Sequence, residues 1–219
     1  MGGLSRLSTS FSNHPQLCVF TVGLYILSIL TGLFFKNRLP VKCMEFIRNG
    51  DAKKTKQTEN IFGKYHERVK SGNFLVMLKC TGIVFGFNTS GALMNTVMNI
   101  FVLPIVLTML YSGVLQGISF TEIKKGSTRW SVLLYCIVGG LEWITYPLSN
   151  YAGLLITSAI LSSIIYGITF GSSIVTAGID VISVYAIIVV LLLIQAPLEL
   201  LYVRKVLKSG GSGIPLKPY

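Results

Sequence analysis

Two glutamates, Glu142 and Glu199, stand inside long apolar runs of a 219-residue chain. A carboxylate in a hydrocarbon interior costs a few kcal/mol even on lenient insertion scales, so such a group faces protein or water, or carries a proton. Glu142 follows Gly139-Gly140-Leu141 and precedes Trp143, Tyr146 and Pro147. That setting predicts an irregular backbone at membrane depth, which survives only where protein or water satisfies the freed polar groups. An exposed helix terminus there can hold an ion or a polar partner. Glu199 follows Ala196-Pro197-Leu198. Three roles stand open for the pair. Each can be a hydrogen-bond anchor between helices, with Asn88, Asn95, Asn99, Gln116 or Tyr135 as partner. Each can line a path for a proton or solute, or bind a partner subunit. Glu199 also has Arg204 and Lys205 close by as interfacial ion-pair partners.

Other chemistry is not written in the residues. There is no Walker loop, no HExxH and no GxSxG. His14 and His66 lie in polar segments without a nucleophile or metal-ligand companion, and Cys18, Cys43, Cys80 and Cys136 form neither a CxxC pair nor a Cys/His cluster. The expectation is a protein that is not an enzyme, with no catalytic residue, no cofactor and no metal.

Apolar residues make up 52% of the chain and charged residues only 12%, against about 25% charged in an ordinary globular domain. Crossing a hydrocarbon core about 30 Å thick takes about 20 apolar residues of helix. The runs therefore predict an all-α integral membrane protein, a polytopic bundle of about five transmembrane helices in one domain over residues 17–205. The expected spans are 17–35, 74–94, 98–120, 131–171 and 181–203. The fourth is expected to be broken or re-entrant near 131–150, because Gly139-Gly140, Pro147 and Ser149-Asn150 interrupt it. Residues 1–16 read as a short N-terminal tail. The run 17–35 lacks a small-residue cleavage site and reads as a retained anchor, and Arg6 stands where a myristoylation signal needs Ser or Thr. Residues 206–219, rich in Gly, Ser and Pro, read as a flexible tail.

The net charge of +11 is concentrated. Ten of the nineteen Lys and Arg lie in the loop 36–72, which reads as a membrane-flanking segment suited to anionic lipid rather than as a nucleic-acid surface. Residues 41–48 and 61–69 have helical apolar spacing, and the polar stretch 51–60 between them reads as mobile. Five crossings put 17 of the 19 cations on one side. The positive-inside rule then predicts a multi-pass protein of the cell membrane with its N-terminus out and its C-terminus in.

Small residues recur at helical spacing in three places: Gly82 and Gly86 with Ser90, Gly113 and Gly117, and Ser163 with Gly167 and Gly171. Such stripes let two helix backbones approach closely, inside one bundle or against a second copy.

The order of these features resembles the stage II sporulation protein M family of membrane proteins. Phe87-Asn88 is similar to the family's Asn in the second span. The stretch Tyr111-Ser112-Gly113-Val114-Leu115-Gln116-Gly117 is similar to its Asn-Gly element with a further Gly. Val138-Gly139-Gly140-Leu141-Glu142 is similar to its Pro-His-Gly-x-x-Glu stretch, with Gly153 at the place of a later glycine. Ala196-Pro197-Leu198-Glu199 is similar to its closing Ala-x-x-Glu. The resemblance spans roughly residues 17–205. Ser112 replaces the usual Asn, Val138 the Pro and Gly139 the His, so any chemistry of that histidine is lost here. The resemblance implies a partner-holding membrane protein. Together with Glu142, Glu199, Asn88 and Gly140 as intramembrane candidates, it leads to an expected non-enzymatic scaffold or accessory subunit, working with other membrane protein subunits or as a homo-oligomer. The rival expectation is a small transporter or channel-like permease with a mid-membrane site at Glu142.

Overall fold

A computed structural model describes residues 3–35, 65–100, 102–121 and 129–208, with single positions 38, 40, 42 and 45. Among the described residues seven helices follow one another: α1 (Gly3–Asn13), α2 (Pro15–Phe35), α3 (His66–Ser71), α4 (Phe74–Met98), α5 (Val102–Thr121), α6 (Arg129–Tyr166) and α7 (Phe170–Lys208). Among the described residues, α2, α4, α6 and α7 are long and apolar enough to cross a membrane, and α5 carries a shorter apolar stretch, Val106–Ile118. The architecture is an all-α polytopic membrane bundle. Large apolar side chains point outward all round it, including Val19, Phe34, Leu75, Ile164 and Ile182. Water would not tolerate so much exposed apolar surface, and lipid would.

Local signals set the helix ends. Pro15 opens α2, where its missing N–H removes no helical bond. Asn73 caps α4 by accepting from the Val76 N–H at 3.2 Å. Gly72 closes α3 at φ 82°, and Gly167 turns the chain between α6 and α7 at φ 65°, left-handed values that favour glycine.

The break expected near 131–150 is absent. One continuous helix of 38 residues runs from Arg129 to Tyr166 through Gly139, Gly140 and the buried Pro147. In a bilayer a broken backbone must find other partners, whereas a helical proline is tolerated when its surroundings compensate. Pro147 removes only the donor to the Trp143 carbonyl, and in the same turn Ser149 Oγ donates to the Tyr146 carbonyl at 2.9 Å. Gly167 ends this helix and so belongs to a turn, which corrects the packing stripe expected at Gly167 and Gly171; a Cβ on either would meet open space.

Helices α6 and α7 form an antiparallel hairpin. Tyr135 packs on Tyr202 with ring centroids 5.9 Å apart; nearer the turn, Tyr151, Ala152 and Leu155 share a core cluster with Val184, Ile188 and Leu192. Helices α2 and α5 run parallel and nearly touch. A Cβ on Gly117 would overlap the Ile29 carbonyl oxygen and stand 2.8 Å from the Leu33 nitrogen; one on Gly113 would overlap the Ser28 side chain. The stripe at Gly113 and Gly117 is therefore an internal seam, with Gly32 of α2 opposite it. Gly82 and Gly86 face outward from α4 with nothing in reach.

Residues 1–16, expected as a tail, contain α1, which docks by Phe11 against the Tyr151 ring at 5.0 Å and by Ser10 Oγ hydrogen-bonded to Tyr151 Oη at 3.0 Å. The segment 61–69 enters the structure only from Tyr65. Its Val69 is buried among Cys80, Val84, Ala196 and Leu200 rather than lying on the surface. The expectations for 41–48, 51–60 and 209–219 concern stretches outside the described residues, apart from the single positions 42 and 45.

Candidate functional site: a carboxylate and carboxamide network

Each long helix sends at least one polar side chain to the middle of the bundle, and α7 sends two. Tyr25 of α2 donates its hydroxyl to Gln116 Oε1 of α5 at 2.5 Å. Gln116 Nε2 donates to Glu142 Oε2 of α6 at 3.3 Å, and Gln195 Nε2 of α7 donates to Glu142 Oε1 at 3.0 Å. One turn further along α7, the Glu199 carboxyl meets the Gln195 side chain. Asn88 Nδ2 of α4 donates to Glu199 Oε2 at 3.2 Å. Tyr25, Gln116, Glu142, Gln195, Glu199 and Asn88 thus form one polar chain from α2 to α4.

The local sequence explains why these side chains meet. Gln195 and Glu199 are four apart and share a face of α7, the face that also buries Leu192, Ala196 and Leu200. Parallel packing at Gly113 and Gly117 brings Gln116 within reach of Tyr25. Glu142 is 5% exposed and Gln195 1%. Each Glu142 oxygen accepts an amide proton, and a typical intramolecular hydrogen bond contributes about 0.5–1.5 kcal/mol net.

No protein-family model, curated protein or solved structure matches the chain.

The candidates divide clearly. Glu142, Glu199 and Asn88 converge in the network, with Gln116 serving as one of the anticipated partners. Gly140 does not join it: a Cβ there would meet nothing within 4 Å, whereas a Cβ on the neighbouring Gly139 would stand 3.8 Å from the Gln116 amide nitrogen. Glu199 turns to Asn88 and Gln195, while the Arg204 guanidinium packs against Gly72. Gln195 and Tyr25 were not anticipated. Gln195 is the one amide within the apolar run 181–198, four residues before Glu199, and that spacing was the available signal.

A second polar layer lies nearer the α4–α5 turn. Asn99 donates through Nδ2 to Asn150 Oδ1, Thr96 Oγ1 donates to the Ser149 carbonyl at 2.9 Å, and Thr157 Oγ1 donates to the Ile100 carbonyl at 2.9 Å. Gly153 permits this approach, since a Cβ there would stand 2.7 Å from the Thr96 carbonyl oxygen. Asn99 and Asn150 are both essentially inaccessible. Asn150→Ala should strip the Asn99 amide of its acceptor and destabilise the protein by about 1–3 kcal/mol. Thermal unfolding in detergent reads this as a lower midpoint, and an unchanged midpoint would refute the pairing.

Chemically, the central network holds acceptors and amides but no nucleophile beside a base. Among the described residues, no group of three or more His, Cys, Asp or Glu is placed to hold a metal ion.

Proposed function

We propose that this protein is a non-enzymatic scaffold or accessory subunit of a larger complex in the cell membrane, oriented with its N-terminus out and its C-terminus in. The observation that carries the reading is the shared network. Glu142 and Glu199, the residues best suited to chemistry, accept amide hydrogens from neighbouring side chains and so tie α4, α5, α6 and α7 together, with Tyr25 of α2 joined through Gln116. A bundle locked from within is suited to presenting its outer faces. Those faces include the open stripe of Gly82, Gly86 and Ser90 on α4 and the cationic end at Arg68, Lys70, Lys205 and Lys208. Bilayers carry anionic lipid on the cytoplasmic side, which supports the orientation. The four short elements that resemble the stage II sporulation protein M family supply Asn88, Gln116, Glu142 and Glu199, so a partner-holding role is in keeping with that resemblance.

The test is affinity purification of the tagged protein from native membranes in mild detergent, followed by mass spectrometry. A scaffold subunit should bring down companions in fixed stoichiometry. A homo-oligomer without companions would overturn the reading and turn attention to flux assays on Glu142→Gln.

A further inference from the structure

Gln195 uses only half of its carboxamide. Its Nε2 donates to Glu142 Oε1 and its side chain meets Glu199, but its Oε1 is buried and has no hydrogen-bond donor. A buried acceptor left empty costs about 1–3 kcal/mol. An ionised carboxylate cannot fill it, because carboxylates only accept. Three nearby donors are committed elsewhere: Tyr25 of α2 to Gln116, Gln116 of α5 to Glu142, and Asn88 of α4 to Glu199. The flanking cations lie elsewhere, with Lys79 over the Tyr65 ring at 5.4 Å and Arg204 against Gly72.

Two carboxyl groups bridged by one amide, beside an empty acceptor and inside hydrocarbon, define a receptor for positive charge. We propose that Glu142, Gln195 and Glu199 bind one monovalent cation, a proton or a sodium ion, with Gln195 Oε1 completing its coordination. A proton carried by one carboxyl turns that group into an O–H donor to Oε1. A sodium ion takes Oε1 and carboxylate oxygens as hard ligands. Either occupant offsets one of two like charges that a single amide holds together in a low-dielectric interior. The inference stands apart from the scaffold reading, since it concerns the interior alone.

The experiment is infrared spectroscopy of the full chain in lipid nanodiscs, in sodium buffer and in sodium-free choline buffer, with thermal midpoints measured alongside. With a proton as occupant, the carbonyl band of a protonated carboxyl group is present in both buffers and disappears in Glu199→Gln or Glu142→Gln. With sodium as occupant, the band emerges only in choline, and the midpoint rises with sodium concentration. Gln195→Leu keeps both carboxyls and should shift the band or abolish the sodium effect. Wild-type protein with no such band in either buffer and no sodium-dependent midpoint would overturn the proposal. So would a signal that persists unchanged in the double variant E142Q/E199Q.

Discussion

Gly117→Val should leave almost no folded protein. A Cβ at this position overlaps the Ile29 carbonyl oxygen and crowds the Leu33 nitrogen, both backbone atoms of α2. No rotamer change relieves such a clash, so the two helices must separate along their length. Overpacking typically costs about 1–3 kcal/mol and occasionally more; this case belongs at the upper end because Gly113 and Gly32 lose their contacts at the same time. Separation also pulls Tyr25 from Gln116 and so loosens the network. Gly82→Val is the control. Its added methyls enter open space on α4, and the folded protein should be retained at near wild-type yield. Size-exclusion chromatography of both variants from matched membranes decides the matter. Equal yields would mean that α2 and α5 are not packed through glycine.

Glu142→Ala should be the next most damaging change, and Glu142→Gln should recover most of the loss. Alanine leaves the Gln116 and Gln195 amides facing a small void with no acceptor, a penalty of roughly 2–4 kcal/mol. Glutamine at 142 still accepts from Gln116 through its carbonyl oxygen. Its new NH2 can donate to Gln195 Oε1 once that carboxamide turns over, and this uses the acceptor that is otherwise empty. The expected result is a low thermal midpoint for Glu142→Ala and a near-normal one for Glu142→Gln. Alanine and glutamine equally benign would remove Glu142 from its role as an anchor.

The helices were legible because apolar run length maps directly onto span length: 17–35 and 74–94 reappear almost unchanged as α2 and α4. The continuity of α6 was not legible. Glycine pairs and proline break helices in water, but in lipid the helix persists because the alternatives leave backbone groups without partners. The stripes Gly82/Gly86 and Gly113/Gly117 look alike in sequence, yet only the second meets a neighbour. Spacing fixes which residues share a face; it does not say what that face touches. Helix α1 was overlooked because its eleven residues are mostly serine and other small polar groups, with only Leu4, Leu7 and Phe11 at helical intervals. The carboxylates stood out by type alone, while Tyr25 was hidden among apolar neighbours that resemble it in hydropathy.

The hairpin of α6 and α7 has a consequence for the membrane itself. Its helices of 38 and 39 residues are each about 57 Å long at 1.5 Å per residue. The α4–α5 turn meets α6 already at Asn150 and Thr157, so the hairpin tip, with Ile164, Ile165, Tyr166 and Phe170 exposed, rises well above that turn. Even inclined at 40°, such a helix still spans about 44 Å, against a hydrocarbon core of about 30 Å. The molecule is accordingly tall along one flank and short along the other. Lipids beside the tall flank must stretch while those beside the short flank relax, so each copy imposes a thickness gradient on its surroundings. Copies in the same membrane should align their tall flanks to share the distortion, an ordering that requires no direct contact between proteins.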